Sequence, residues 1–132
     1  MGAGKSMTPD ERAKELSRIR NGMIRKSYYL MHRRPLEPQR KAEVMLEHFQ
    51  WIVELEKRGQ IVFSGALFDR EGVQGEGLTL LRARDWDEAE RLAETDPFVM
   101  AGAVSFSIDR WVIGGGSLTV SISLSDQRMQ VD

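Results

Sequence analysis

The order in which strand-forming and helix-forming segments follow one another most constrains the fold of this chain. Segments rich in β-branched or aromatic residues, or alternating apolar with polar positions, occupy residues 23–31, 60–67, 77–83 and 104–109. A helical segment over residues 39–58 ends at Gly59, and Asp85 caps a second helix. This β-α-β-β-α-β order predicts an α+β, ferredoxin-like split βαβ fold, with helices on one face of an antiparallel sheet.

Two further segments extend this unit. Thr8, Pro9 and Glu11 form a helix start signal that predicts a helix ending at Asn21-Gly22. After three glycines, residues 118–124 alternate apolar and polar side chains and predict an extra C-terminal strand. We therefore divide the chain into an N-terminal extension (1–22), a ferredoxin-like domain (23–113) and a C-terminal extension (114–132). A second copy is the expected cover for the open sheet face.

Composition narrows the chemistry. The 132 residues contain no Cys and only two His, which excludes disulfide scaffolds, Cys-ligated metal centres and thiol catalysis. No apolar run approaches the length of a membrane span, and no signal peptide opens the sequence. We expect a cytoplasmic protein with no metal, no cofactor and no membrane partner.

The charge is unevenly distributed. Residues 1–34 contain nine Lys or Arg and three Asp or Glu, whereas the remainder contains ten and seventeen. A basic arm can bind nucleic acid, but the basic residues of its helix are not interleaved with aromatic side chains, and the fourth strand lacks the aromatic pattern of RNA-binding sheets. A solvated helix is the simpler interpretation, and we expect no nucleic-acid partner.

His48 does not fit its surroundings. On an ideal helix, Ile52 and Leu55 lie within about 40° of it, so the imidazole sits in the middle of the apolar stripe. A buried imidazole needs a hydrogen-bond partner. His48 is therefore either a core histidine bonded to a backbone carbonyl or a general acid or base, a role that suits imidazole near neutral pH.

Asp96 is the second unusual residue. An Asp before Pro is a common helix N-cap, so Asp96-Pro97 can simply begin a turn. In a split βαβ layer, however, the end of the second helix lies beside the first, which brings Asp96 towards His48. A carboxylate that orients an imidazole is a recognised catalytic pair.

Four other polar residues are candidate substrate ligands. His32, Arg33 and Arg34 follow the first strand and could line a pocket mouth or bind an anionic substrate. Tyr29 could pack in the core or donate its hydroxyl, and Ser64 alternates with apolar strand residues. The substrate-binding candidates are thus Tyr29, His32, Arg34 and Ser64.

Several of these segments together resemble the YciI-like (YCII-related) proteins over about residues 24–112. The helix from His48 to Gly59 looks like the His-to-Gly helix of that family, and residues 61–66 are similar to the strand that follows it. Asp96-Pro97-Phe98 and the strand towards Trp111 match the second half in order and spacing. Two departures stand out: many members have Arg-Pro where this chain has Met45-Leu46, and Gly-Pro is replaced by Gly65-Ala66.

The resemblance implies a dimeric α+β barrel in which two sheets pack face to face, and a pocket with a His–Asp pair at His48 and Asp96. The partner we expect is therefore a second copy of the chain, in a homodimer or a higher oligomer. Family members include a dehydrochlorinase, and the superfamily includes muconolactone isomerase. The anion-binding Arg expected before the His is absent here unless Arg34 supplies it.

Two functions follow as hypotheses. The first is a cofactor-independent lyase, dehydrochlorinase or isomerase that uses His48 and Asp96 as an acid/base pair on a small, aromatic-derived molecule. The second is a non-catalytic small-molecule-binding or accessory domain in which His48 is a structural core residue.

Overall fold

The computed structural model describes residues 6–72 and 74–132. The chain forms two compact units. One comprises Ser27–Val112, and the other combines the segment up to Lys26 with Ile113–Asp132.

The larger unit contains the split βαβ arrangement. Its elements are β1 (Lys26–Pro35), α2 (Pro38–Glu43), α3 (Met45–Lys57), β2 (Ile61–Phe68), β3 (Gln74–Leu81), α4 (Trp86–Glu94), α5 (Pro97–Met100) and β4 (Val104–Ile113). The sheet order is β2-β3-β1-β4, and β3 pairs antiparallel with both β1 and β2. Because β3 lies between β1 and β2, the two strands joined by α2 and α3 are split, and the predicted ferredoxin-like α+β fold is confirmed.

The long helix predicted over residues 39–58 is two helices rather than one. Val44 interrupts it with non-helical backbone angles (φ −113°, ψ 20°), and α3 begins at the next residue without a side-chain cap. No Pro or Gly marks the break. Instead, Val44 packs against the buried cluster of Phe98, Ala103 and Val104, so tertiary packing overrides the local helical preference.

Alternation along β1 separates the two faces of the sheet. Tyr29, Met31 and Arg33 are buried on the helix-covered face, whereas the residues between them are half-buried. The main core joins both strands and helices: Tyr29, Met31, Trp51, Leu55, Ile61, Leu81, Ala89 and Ala93. The core therefore lies between the sheet and the α3–α4 layer.

The opposite face of the sheet carries large apolar side chains. By register, Leu30 and Phe63 both lie opposite Leu80, and Leu67 lies opposite Glu76, which places these side chains on the outer face. Phe63 is 57% exposed and Leu67 is 41% exposed. Large apolar side chains on an open sheet face suit packing against another surface.

The smaller unit contains α1 (Pro9–Asn21) and a hairpin of β5 (Val120–Ser123) and β6 (Arg128–Val131). The Thr8 hydroxyl accepts a hydrogen bond from the Glu11 backbone N–H, as the helix start signal predicted, and α1 buries no residue. The extra C-terminal strand is β5, and it forms the first arm of the hairpin. Within the described residues, no helix has the length and apolar character needed to cross a bilayer.

Candidate active site

His48 projects from the buried face of α3 together with Trp51 and Leu55. It is 5% exposed. The Trp51 indole N–H donates to the Thr95 hydroxyl over 2.8 Å, which joins α3 to the end of α4 immediately before Asp96. The buried face of α3 therefore places the imidazole beside the start of α5.

Asp96 is fully buried and is the N-cap of α5. Its Oδ1 atom accepts a hydrogen bond from the Phe98 backbone N–H (3.0 Å) and lies 2.7 Å from His48 Nδ1. Pro97 fixes the first turn of α5, where a missing N–H costs nothing. The structure therefore brings His48 and Asp96 into direct hydrogen-bond contact, and Asp96 is both a helix cap and the partner of the imidazole.

The Phe98 ring completes the surroundings of the imidazole. It stacks on His48 with a centroid distance of 3.7 Å and an interplanar angle of 9°. The Phe49 ring meets the same imidazole edge to face at 5.6 Å. These aromatic contacts restrict rotation of the imidazole, because any other rotamer would lose them.

Arg33 approaches the pair from β1. Its Nη1 atom lies 3.5 Å from Asp96 Oδ2, and among the described residues that oxygen has no hydrogen-bond partner. Burial lowers the pKa of the Arg33 guanidinium, and the negative charge of Asp96 offsets part of this effect. Burial and the positive charge of Arg33 together lower the pKa of Lys41 on α2.

A cavity of about 180 Å³ opens onto these residues. His48, Arg33, Lys41 and Phe98 line it, and Phe49, Ile52, Val104 and Met45 supply apolar walls. Ser64–Ala66 of β2 and Gly75–Gly77 of β3 also line it. An apolar cavity with a few convergent polar groups is the usual form of a small-molecule site.

The four predicted substrate ligands have different locations. Ser64 lines the cavity, where its hydroxyl is 2.8 Å from that of Thr79. Tyr29 belongs to the core and packs edge to face on Trp86 at 5.4 Å, so it does not line the cavity. His32 and Arg34 lie on the outer face of the sheet: His32 Nε2 contacts Glu76, and Arg34 donates to the Ser107 hydroxyl over 3.1 Å.

Two cations line the cavity, Arg33 and Lys41. The sequence indicated Arg33 only as one of three polar residues after the first strand, and it gave no sign of Lys41. The alternation along the strand could have placed Arg33 more closely. Arg33 is two residues beyond Met31 and four beyond Tyr29, so a first strand extended past residue 31 places it on their buried face. Arg33 rather than Arg34 therefore supplies the buried positive charge beside the His–Asp pair.

The arrangement can exchange a proton with a bound molecule. With Nδ1 engaged by Asp96, His48 Nε2 has no hydrogen-bond partner among the described residues, and the imidazole lines the cavity. Within residues 6–72 and 74–132, no three His, Asp or Glu side chains are grouped in a way that could hold a metal ion. The geometry is that of an imidazole oriented by a carboxylate.

Comparison with known proteins gives two findings. The sequence profile of the YCII-related domain matches residues 27–111, whereas no curated protein matches the chain. Among solved structures, the fold resembles the 5-chloro-2-hydroxyhydroquinone dehydrochlorinase (TftG) from Burkholderia phenoliruptrix AC1100, in complex with 2,5-dihydroxybenzoquinone. The TM-score is 0.53 at 22% sequence identity, covering 64% of this chain and 92% of that one, so the likeness concerns the fold.

Proposed function

This chain belongs to the family of YCII-related domains, and we propose that it is a cofactor-independent enzyme in which His48 and Asp96 form an acid/base pair. The reaction class is elimination or isomerisation of a small molecule, as in a lyase, a dehydrochlorinase or an isomerase. The dehydrochlorinase fold of the similar structure supports a small-molecule substrate.

The observation that carries the proposal is the contact of 2.7 Å between His48 Nδ1 and Asp96 Oδ1 beside the cavity. A carboxylate can only accept a hydrogen bond, so Nδ1 carries the proton and Nε2 of the neutral ring is the free base. Asp96 is held in turn by the Phe98 backbone N–H. A base whose tautomer and orientation are fixed in this way is ready to remove a proton without rearrangement.

The proposed elimination needs no oxidant or reductant. Nε2 of His48 takes a proton from the substrate, the electron pair of that bond forms a new π bond, and the leaving group departs with its own electron pair. Loss of a proton and a chloride is the net result in a dehydrochlorination. Asp96 stabilises the imidazolium that forms, and solvent then removes the proton. In an isomerisation, the same nitrogen returns the proton to a different carbon.

The first experiment measures chloride release from 5-chloro-2-hydroxyhydroquinone, the compound named for the similar structure. His48→Gln and Asp96→Asn should each lower the rate by about 100-fold or more. His32→Gln is the matched control, since this residue lies outside the cavity. Wild-type rates in either site variant contradict the acid/base role, and absence of chloride release by the intact protein contradicts the dehydrochlorinase form of the proposal.

A second candidate function is a non-catalytic small-molecule-binding or accessory domain. It is favoured by the N-cap role of Asp96 and by the stacking of His48 on Phe98, which are sufficient structural reasons for both residues. In that case, His48→Gln lowers the temperature of unfolding and leaves ligand binding intact, and no turnover is measurable in any variant.

We also propose that the functional form is a homodimer built on the outer face of the sheet. The exposed side chains of Phe63 and Leu67 support this, because a second copy would remove them from water. Sedimentation should give twice the mass of the chain, and Phe63→Lys should shift the equilibrium towards monomer. A monomeric intact protein contradicts the proposal.

A further inference from the structure

Arg33 is buried, with 5% of its surface exposed, and most of the five N–H donors of its guanidinium have no partner among the described residues. Its Nη1 atom is the one that faces Met31 Sδ (3.4 Å) and Asp96 Oδ2 (3.5 Å). Among the described residues, its Nε and Nη2 atoms have no hydrogen-bond partner. These two atoms form the edge of the guanidinium that binds a carboxylate through two parallel hydrogen bonds.

Gly77 keeps that edge open. A Cβ atom built on Gly77 would lie 3.3 Å from Arg33 Nη2 and 3.5 Å from Nε. Gly77 lies opposite Arg33 in the β1–β3 register and lines the cavity. Any side chain at position 77 would therefore occupy the space in which two ligand oxygens could meet the guanidinium.

Lys41 adds a second positive charge to the same cavity. It is half-buried, and its Nζ lies 5.4 Å from the centroid of the Phe98 ring. The charge of Arg33 contributes to lowering the pKa of Lys41, so the two cations act on each other. Glu76 also lines the cavity, but its Oε1 contacts His32 Nε2. A ligand anion would relieve the repulsion between the two cations.

We propose that Arg33 and Lys41 form an anion subsite that binds the carboxylate of a small planar organic acid, with the remainder of the molecule against Phe98 and His48. The size of the cavity, about 180 Å³, supports one ring, since a cavity of roughly 150 Å³ holds benzene. This subsite lies in the cavity of the proposed function, and it adds to that proposal a negative charge on the ligand. Binding of the anion does not depend on turnover.

The test is calorimetric titration of the intact protein with benzoate and with benzamide, a neutral molecule of nearly the same shape. Benzoate should bind at least about tenfold more tightly. Lys41→Met should weaken benzoate binding by about tenfold, whereas Lys57→Met, the same substitution at an exposed site on α3, should leave it unchanged. Equal affinity for the two probes, or no benzoate binding at all, overturns the proposal.

Gly77→Ala shows whether the carboxylate is bound by two hydrogen bonds from Arg33 or is only attracted by the positive charge of the cavity. The added methyl should remove most benzoate binding without removing any charge, and its melting temperature shows whether the variant remains folded, because the same methyl also approaches the Gly65 carbonyl at 3.3 Å. Full binding by a folded Gly77→Ala variant contradicts the Arg33 edge as the binding element. Lys41→Met should weaken benzoate binding whether or not the intact protein releases chloride, so failure of the acid/base proposal and failure of the anion subsite give different results.

Discussion

The Phe98 ring lies nearly parallel to the His48 imidazole at 3.7 Å, while the backbone N–H of the same residue donates to the Asp96 oxygen that contacts that imidazole. His48, Asp96 and Phe98 thus form a closed set of contacts, in which each residue touches the other two. The set joins α3 to α5 across 48 residues of sequence. Orientation of the imidazole is therefore a property of the packed core.

Asp96→Asn should show whether the reaction needs the negative charge of Asp96 in addition to the orientation that this residue gives the His48 imidazole. The amide fits the same space and can still accept from the Phe98 backbone N–H, but it cannot stabilise an imidazolium as a carboxylate does. We expect a loss in kcat of about 100-fold or more with little change in KM. Steady-state kinetics on the substrate used in the proposed assay measure this, and a change confined to KM would contradict an acid/base role.

Phe98→Ala should lower the free energy of unfolding by about 3 kcal/mol or more, because the ring is almost wholly buried and its removal leaves a cavity beside His48. Leu46→Ala is the control, since that side chain lies on α3 and is 66% exposed. Chemical denaturation of both variants provides the comparison. Equal losses would show that the stacked ring contributes no more to stability than an exposed apolar side chain.

Binding of the anionic probe should depend on alkaline pH through Lys41. The pKa of Lys41 is lowered from its usual value of about 10.4. Below the lowered pKa the ammonium is charged and affinity is complete; affinity falls as the pH rises through that pKa. Titrations with benzoate across the alkaline range test this, and Lys41→Arg should move the loss to higher pH. A pH-independent affinity in the intact protein contradicts the role of Lys41.

The lowered pKa of Lys41 makes the stability of the ligand-free protein rise with pH, whereas anion binding weakens. The unfolded chain holds the Lys41 proton more tightly than the folded protein does, so between the two pKa values the contribution of this group to the free energy of unfolding rises with pH. Lys41→Met removes this contribution. Denaturation curves of the two proteins at several alkaline pH values measure it.

Gly59→Ala should cost about 1 kcal/mol of stability through the backbone alone. Gly59 ends α3 with φ of +72°, and an added Cβ would have no heavy atom within 4 Å, so no clash contributes. Gly65→Ala is the control, because its Cβ also meets nothing within 4 Å and its φ is not positive. Equal unfolding free energies for the two variants would contradict this origin of the cost.

Much of the fold could be predicted because its signals are local. The Thr8 and Asp85 caps, the glycine at the end of α3 and the alternation in β4 each specify an element from a few neighbouring residues. The break at Val44 could not be predicted in this way. It depends on packing against Phe98, which is distant in sequence, and no local residue announces it.

The residues of the candidate site likewise differ in whether local sequence signals identify them. His48 stands out because a polar residue in the middle of an apolar helical stripe requires a reason, whereas Asp96 was singled out only once the fold was assumed. Tyr29 and Arg33 share the buried face of β1, yet only Arg33 reaches the cavity. The alternation along a strand predicts the face of the sheet on which a side chain lies. The position of the helices that pack on that face decides whether the side chain lies in the core or in the cavity.

The hydrogen bond from the Phe98 main chain to Asp96 has a consequence for how this site can change over evolutionary time. A backbone donor is encoded by the path of the chain, and substitution of the ring leaves it in place as long as α5 persists. Arg33 and Lys41, in contrast, contribute only through their side chains. Single mutations can therefore exchange the groups that select a ligand while the proton-handling pair keeps its support, so the scaffold is suited to acquiring new substrates for one chemistry.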